Sequence, residues 1–371
     1  MIIDNLLTPS FLVNLDTLEK NIKEVQTIFD NYGKELWPMI KTHKSSDIAK
    51  MQLKYGAKGF LVGTLDEAEI LSNQGVENIT YAYPVVGKEN ITRAIEIAKR
   101  TNLYLSIDCF EQAQELNLEL ENENIKIKVL IIINSGLNRF GVEPEDAGKL
   151  YNSIKDFKNI EIVGIGTHPG QVYTSHNMED VEYVANQEIE SMRLAKESLE
   201  AAGGSVLIIA TGSTPTMSFV AKDKDITIIR PGNYVFYDNI QMSIGLVREE
   251  DCALTVLATV ISKPKEDVLL IDAGSKCLGL DKGAHGNSLI EGYGYIINHP
   301  ELVITDLSEE VAKIKIKDHT DIKIGDKIEI IPNHSCSAAN FTNFLVGHRS
   351  GVIEKLLEVD MRGGSIKRPL I

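Results

Sequence analysis

Between residues 11 and 213, short β-rich runs alternate with amphipathic stretches, and this alternation restricts the fold more than any other feature of the chain. It is typical of βα units, in which each helix returns the chain to the next strand of a parallel sheet. The pattern predicts eight strands, at residues 11–14, 37–41, 59–64, 78–83, 103–108, 126–134, 162–167 and 206–210. Eight strands with interleaved helices predict a closed (β/α)8, TIM-like barrel, which is an α/β fold.

A second, mostly β domain is predicted after the barrel. Beyond Asp238 the segments are β-rich, lack long helices and are separated by glycine, proline and charged turns. We therefore predict a barrel domain at residues 11–238 and a C-terminal β domain at residues 239–371, to which residues 1–10 could also belong. A chain of 371 residues has room for both, since such a barrel takes about 250 residues.

Composition and charge narrow the class of partner. The net charge is −15 and no stretch concentrates lysine and arginine, which argues against nucleic acid or an anionic membrane surface as a partner. A small molecule is the expected partner. The N-terminus lacks a basic region followed by an apolar core, no apolar run approaches the roughly 18 residues of a membrane helix, and the four cysteines show no close pairing. We therefore expect a cytoplasmic protein with reduced thiols.

Lys41 ends the second predicted strand. The carboxyl ends of barrel strands are where such folds gather catalytic groups, and a lysine in a desolvated pocket loses its proton easily and can form a Schiff base. The alternative is an ordinary solvated lysine at a strand end. The other strand ends decide between the two interpretations.

Three further strand ends carry polar groups. Arg139 follows the sixth strand, where it could hold a phenolate or a carboxylate, and His168 and Tyr173 follow the seventh, although either of these two could be structural. The glycine and hydroxyl-rich segment 212–216 follows the eighth, where barrels often bind phosphate, and the turn 230–234 could add contacts. A Schiff-base lysine, a phosphate site and an arginine on one face together predict pyridoxal 5'-phosphate as a cofactor.

A candidate metal pair lies in the second domain. His334 and Cys336 are two residues apart, so their side chains share one side of an extended segment. The spacing suits two ligands of a zinc-like ion with an open position for water or substrate. The alternative is a buried cysteine beside a hydrogen-bonded histidine. Any further ligand must come from water, substrate or a residue distant in sequence.

These motifs, taken in order, resemble those of the fold-type III pyridoxal-phosphate enzymes, within the group of D-threonine aldolase and the zinc-dependent D-serine dehydratases. The resemblance covers nearly the whole chain. The matching motifs are 41–44, Arg139, 168–173, 212–216, 230–232, 272–276 and 332–336.

The resemblance implies a role for each candidate residue. Lys41 would form the Schiff base with the cofactor, Arg139 would lie near its phenolic oxygen and Tyr173 near its ring nitrogen. His168 is the candidate base, and His334 and Cys336 would hold a divalent metal, zinc or manganese, beside the substrate β-hydroxyl. Residues around the phosphate would be Gly212, Ser213, Thr214, Gly232, Asn233 and Tyr234.

Two departures bear on the activity. Trp37 and Met39 stand where the family usually has arginine and histidine. The His-x-Cys pair resembles the D-serine dehydratases, whereas D-threonine aldolases have His-x-Asp.

The hypothesis from whole-chain resemblance is a D-threonine aldolase that cleaves β-hydroxy-D-amino acids to glycine and an aldehyde, with D-serine dehydratase as the alternative. An amino-acid racemase or a non-catalytic pyridoxal-phosphate carrier has less support, because the metal pair and the extra β domain suit neither. The resemblance also implies a homodimer.

Overall fold

Seventeen strands make up two sheets in the described part of the computed structural model, which comprises residues 1–283 and 289–363. The strands are β1 (Ser10–Asn14), β2 (Glu35–Leu36), β3 (Phe60–Val62), β4 (Asn78–Pro84), β5 (Asn102–Ile107), β6 (Ile127–Ile132), β7 (Ile160–Gly166), β8 (Ile208–Thr211), β9 (Ile228–Ile229), β10 (Leu254–Lys265), β11 (Val268–Ile271), β12 (Tyr295–Ile296), β13 (Leu302–Leu307), β14 (Ala312–Ile316), β15 (Lys327–Ile331), β16 (Phe344–Arg349) and β17 (Val352–Glu358). The helices are α1 (Leu15–Asn31), α2 (Ser46–Lys54), α3 (Leu65–Asn73), α4 (Lys88–Ala98), α5 (Phe110–Glu123), α6 (Ala147–Ile154), α7 (Met178–Ala201), α8 (Met217–Val220), α9 (Asn239–Ser243), α10 (Ser275–Leu278) and α11 (Ser335–Ala338).

The first sheet is an eight-stranded parallel barrel in the order β2-β9-β8-β7-β6-β5-β4-β3. Its two end strands meet where the chain continues past β2. There the Leu61 amide donates to the Pro38 carbonyl at 2.9 Å, and Met39 forms a parallel bridge with Leu61. The predicted TIM-like barrel is confirmed.

Two strands of the barrel prediction are corrected. The segment predicted as its first strand, β1, pairs antiparallel with β10 and parallel with β16, so it belongs to the second sheet. The barrel instead takes β9 as its eighth strand. β9 was missed because its two residues are too few to show a periodic pattern.

Local sequence signals account for most helix boundaries. The helices predicted along the barrel occur, and α3 begins with a capping box in which Thr64 and Glu67 satisfy each other's backbone amides. The Asn14 side chain accepts hydrogen bonds from the amides of Asp16 and Thr17, because it precedes the first helical turn of α1.

The second sheet forms a mostly β domain, as predicted. Its strands run in the order β13-β14-β11-β10-β1-β16-β17, and β15 pairs with β10 and with β12. The division at 238/239 stays a prediction. None of the described helices is long and apolar enough to cross a membrane, and all four cysteines, which lie within the described residues, are free thiols.

Candidate active site

A cavity of about 210 Å³ opens at the carboxyl ends of the barrel strands. It brings together side chains that are far apart in sequence, including His334 and Cys336 from the predicted second domain. The predicted site residues in its lining are Lys41, Arg139, His168, Tyr173, Ser213, Gly232, Asn233, His334 and Cys336.

Lys41 lies in a 3-10 turn, Ile40–Thr42, and not in the strand predicted for it. Its carbonyl oxygen accepts a long hydrogen bond, 3.4 Å, from the Asn340 amide, which also donates to the Cys336 carbonyl at 2.8 Å. Lys44, three residues further on, is buried and forms an ion pair with Glu67 at 2.6 Å. Of these two lysines, therefore, Lys41 is the one that lines the cavity.

Aromatic rings surround the arginine at the cavity rim. The Arg139 guanidinium lies 5.4 Å from the centroid of the Tyr83 ring and 4.5 Å from that of Phe140. Such stacking holds a cation in place while its donors remain available to an anionic ligand.

Tyr173 lies on the side of the cavity that carries the predicted metal pair, His334 and Cys336. Burial raises the pKa of its phenol well above the ordinary value, and the negative charges of Cys336 and Asp238 add to this effect. The hydroxyl is therefore protonated at neutral pH and can serve as a hydrogen-bond donor. Its predicted place near the cofactor ring nitrogen stays a prediction.

The predicted phosphate residues form two layers. Ser213, Gly232 and Asn233 line the cavity. Gly212, Thr214 and Tyr234 have partners behind it: the Gly212 amide donates to Glu188 at 2.8 Å, and the Tyr234 amide donates to the Thr214 hydroxyl at 3.1 Å.

The close packing of Gly232 against the lysine turn depends on the missing side chain. A Cβ at this position would lie 2.9 Å from both the Met39 carbonyl oxygen and the Thr42 hydroxyl. Because Gly232 has no side chain, the turn 230–234 can pack directly against the turn that carries Lys41.

His334 and Cys336 form a hydrogen-bonded pair at the start of α11. Burial raises the pKa of the Cys336 thiol, but the charges of His334 and Lys41 outweigh it and leave the pKa below the ordinary value. Burial likewise lowers the pKa of His334, but the Cys336 thiolate and Asp281 raise it well above its usual range. A thiolate beside an imidazole is the donor chemistry that a zinc-like ion requires.

The turn that carries the pair is tied to the barrel. Asp238 is fully buried and accepts hydrogen bonds from the Ser335 amide at 2.9 Å and from the Asn233 side chain at 2.6 Å. The Cys336 sulfur lies 3.3 Å from the hydroxyl of Thr42, the residue that follows Lys41. These contacts set the predicted metal pair beside the lysine turn.

The described residues fit both the predicted cofactor and the predicted metal ion. Arg230 Nε, Asn233 Oδ1 and Gln241 Oε1 are buried atoms without a hydrogen-bond partner in the described chain, and all three residues line the cavity. No group of three or more histidine, cysteine or acidic side chains that could hold a metal occurs in residues 1–283 and 289–363. An ion at the pair would need further ligands from outside it, such as water or substrate.

Three further residues of the site had no role of their own assigned from the sequence. Arg230, which lies in the turn 230–234 that was predicted to add contacts, lines the cavity and donates to the carbonyl oxygens of Thr167 at 2.7 Å and Ala210 at 3.0 Å. Asp238 and Gln241 also line the cavity, and no sequence pattern indicated them.

The two residues that depart from the family pattern have different surroundings. Trp37 packs inside the barrel, where its ring meets Tyr104 edge to face at 5.3 Å and its Nε1 donates to Glu35 at 2.8 Å. Met39 lines the active-site cavity. Of these two residues, therefore, Met39 is the one that replaces a polar family residue with an apolar side chain at the cavity.

Two family models match successive parts of the chain. The alanine racemase N-terminal domain matches residues 13–239, and the serine dehydratase domain matches residues 253–347. The chain belongs to the fold-type III pyridoxal-phosphate enzymes, in the group of D-serine dehydratases and D-threonine aldolases.

Curated relatives of this lyase family match over most of their length. D-threo-3-hydroxyaspartate dehydratase of Delftia sp. is 30% identical, with 89% of this chain and 91% of the relative covered. D-serine dehydratase of Dictyostelium discoideum is 31% identical (93% and 94% covered), and D-threonine aldolase of Arthrobacter sp. is 25% identical (96% and 93% covered).

Solved structures agree with this assignment. The Delftia dehydratase superposes with a TM-score of 0.90 at 28% identity, covering 96% of this chain and 98% of the other. D-threonine aldolase from Filomicrobium marinum also gives 0.90, at 24% identity, covering 98% and 97%. The predicted enzyme class, a pyridoxal-phosphate-dependent lyase with a divalent metal, is confirmed.

Proposed function

We propose that this lyase dehydrates β-hydroxy-D-amino acids such as D-serine, releasing a keto acid and ammonia. The observation that carries the proposal is the His334–Cys336 pair, which contacts the lysine turn through Thr42. This pair matches the His-x-Cys pattern that the dehydratases share, and the relatives at 30% and 31% identity are both named dehydratases. A cysteine-to-alanine variant of the Delftia enzyme is described as metal-free, which supports a metal role for such a cysteine.

The cavity supplies the groups that dehydration needs. When bound, pyridoxal phosphate supplies a ring that withdraws electrons from the substrate Cα, and the divalent ion supplies a Lewis acid for the β-oxygen. Lys41 and the two predicted phosphate segments, 212–216 and 230–234, would hold the cofactor. His334 and Cys336 would hold the ion. Lys41 Nζ would then accept the Cα proton. The thiolate ligand favours zinc over manganese.

Aldol cleavage is the second candidate. It requires a base at the β-hydroxyl and leaves the Cα proton in place, and His168 in the cavity lining could act as that base. The 25% identity to D-threonine aldolase over 96% of this chain supports it as well. The aldolase hypothesis of the sequence analysis takes second place because the more similar dehydratases carry the greater weight.

Product analysis separates the two reactions. The purified holoprotein is incubated with D-serine, D-threonine and D-threo-3-hydroxyaspartate, and with the L-enantiomers as controls. Keto acid and ammonia without glycine support dehydration, whereas glycine with an aldehyde would overturn it. A His168→Asn variant adds a second criterion, since it should keep keto-acid formation if Lys41 moves the proton.

The homodimer implied by the resemblance is also a proposal. Light scattering after size-exclusion chromatography measures the mass directly, and a monomeric mass of about 41.1 kDa would contradict it.

A further inference from the structure

His334 has a carboxylate partner on the side of its ring that bears Nδ1. Asp281 Oδ2 lies 3.2 Å from His334 Nδ1, within hydrogen-bond distance. Because an ionised carboxylate only accepts hydrogen bonds, this contact requires the proton to be on Nδ1. A metal that displaces the proton of Nε2 then finds a lone pair there while Nδ1 keeps its proton, which is the form in which imidazole binds a metal.

The position of Asp281 is itself determined by the turn that carries the metal pair. The Ser337 hydroxyl donates to Asp281 Oδ2 at 2.8 Å, and the side-chain amide of Asn333 donates to the backbone carbonyl oxygen of Asp281 at 2.9 Å. Asn333 is fully buried, and its own Oδ1 accepts a hydrogen bond from Asn239 at 2.8 Å. Asp281 is thus held by Asn333 and Ser337, which lie on either side of His334 in the chain. Asn333 is itself held by Asn239 at the start of helix α9.

Two acidic residues therefore support the pair in different ways. Asp238 binds the backbone and hydroxyl of Ser335, the residue between the two predicted ligands, and is fully buried. Asp281 binds the imidazole of His334 and keeps 43% of its side chain exposed. Of these two carboxylates, Asp281 is the one within hydrogen-bond distance of the ring of a predicted ligand.

We propose that Asp281 is a positioning residue for the metal ligand His334, which it holds in the Nδ1–H tautomer and in one ring orientation. The inference rests on the proposed metal role of His334 and Cys336. Carboxylate partners of this kind raise the basicity of a ligating imidazole and prevent its rotation, and their loss typically weakens metal binding by about 10- to 100-fold. Asp281 would not touch the substrate.

Metal affinity is the direct test. Holoprotein is stripped of metal with a chelator, its pyridoxal-phosphate absorbance is checked, and zinc is titrated against a chromophoric competitor. The wild type is compared with Asp281→Ala, which removes both the hydrogen bond and the charge, and with Asp281→Asn, which keeps an acceptor oxygen for Nδ1. Asp267→Ala, at an exposed acidic residue of the same domain, is the matched control.

We expect zinc to bind Asp281→Ala about 10- to 100-fold more weakly than the wild type, with Asp281→Asn between the two and Asp267→Ala unchanged. The cofactor absorbance should be the same in all four proteins, which separates an effect on the metal from a general loss of structure. If the wild type binds zinc and both Asp281 variants bind it equally well, this inference alone is overturned. If the wild type binds no zinc, the proposed metal site is overturned with it.

Discussion

Two lysines three residues apart have opposite surroundings, and this difference decides which one can react. Lys41 lines the cavity, whereas the Lys44 ammonium is buried against the Glu67 carboxylate at 2.6 Å. An amine buried in such an ion pair has no room for a ligand.

Replacing Lys41 with alanine should abolish covalent attachment of the cofactor. Borohydride treatment of the wild type should fix pyridoxal phosphate to the peptide that contains Lys41, and the variant should show no label and a loss of turnover of about 10²–10⁴-fold. Mass spectrometry of the reduced protein measures this.

Lys44→Ala is the control. It leaves Glu67 as a buried, unpaired carboxylate, so it should lower the free energy of unfolding by about 3–5 kcal/mol while the label stays on Lys41. Label on any other lysine in the wild type would contradict the assignment.

The identity of the second proposed metal ligand, Cys336, should control which metal binds. A Cys336→Asp substitution replaces a soft thiolate with a hard carboxylate, so the preference for zinc over manganese should fall by at least about tenfold. Competitive titration of both metals into the metal-free holoprotein measures the ratio. An unchanged ratio would show that Cys336 is not a ligand.

At the scale of elements, helix α7 supports the predicted phosphate segment, residues 212–216, from the side away from the cavity. Glu188 on this helix is fully buried, and its Oε1 accepts hydrogen bonds from the Gly212 amide and the Thr211 hydroxyl. Burial raises its pKa from 4.5 to about 7, although these hydrogen bonds and the charge of Arg230 oppose the shift. The segment therefore rests on a carboxyl group that titrates near neutral pH.

The raised pKa predicts how stability depends on pH. Because the folded state binds this proton more tightly than the unfolded state, the stabilisation is fully present below pH 4.5 and is lost as the pH rises through about 7. Relative to Glu188→Gln, the wild type should lose up to about 3 kcal/mol of unfolding free energy across that interval.

Urea denaturation of both proteins at several pH values measures the difference. Glu182→Gln, at an exposed position of the same helix, is the matched control and should run parallel to the wild type. A Glu188→Gln curve that is also parallel to the wild type would contradict the raised pKa.

At the scale of the whole molecule, the N-terminal strand connects the two domains. β1 precedes the barrel in the chain but pairs with β10 and β16 in the second sheet. Leu12 in its centre is fully buried and packs with Leu257 and Val346. The second sheet therefore depends on residues that come before the barrel.

Leu12→Ala should lower the free energy of unfolding by about 2–5 kcal/mol, because it leaves a cavity in a packed cluster. Leu7→Ala is the control, since Leu7 is 89% exposed and should cost little. Urea denaturation followed by circular dichroism measures both. Equal stability of the two variants would contradict the placement of β1 in the second sheet.

Most of the barrel and the groups on its catalytic face were predictable from the sequence. Helix and strand patterns report local burial, and the ends of parallel strands converge on one face, so Lys41, Arg139 and His168 could be placed together in advance. The same holds for His334 and Cys336, because alternate residues of an extended segment share a side.

Other features depended on contacts between distant segments. A strand pattern does not specify which sheet edge the strand will pair with, so the position of β1 was not visible in it. Strand β9 has only two residues and shows no pattern at all. The chain also carried no sign that Trp37 would fill the barrel while Met39 lines the cavity.

The sequence by itself thus determined the fold class, the order of its elements and the residue types available for the chemistry. Only the tertiary structure decided which acidic groups contact the predicted site residues: Glu188 contacts Gly212, Asp238 contacts Ser335 between the two predicted metal ligands, and Asp281 contacts His334. The reason is physical. A hydrogen bond between residues that are far apart in the chain has no periodicity, so it becomes visible only when folding brings its donor and acceptor within about 3 Å.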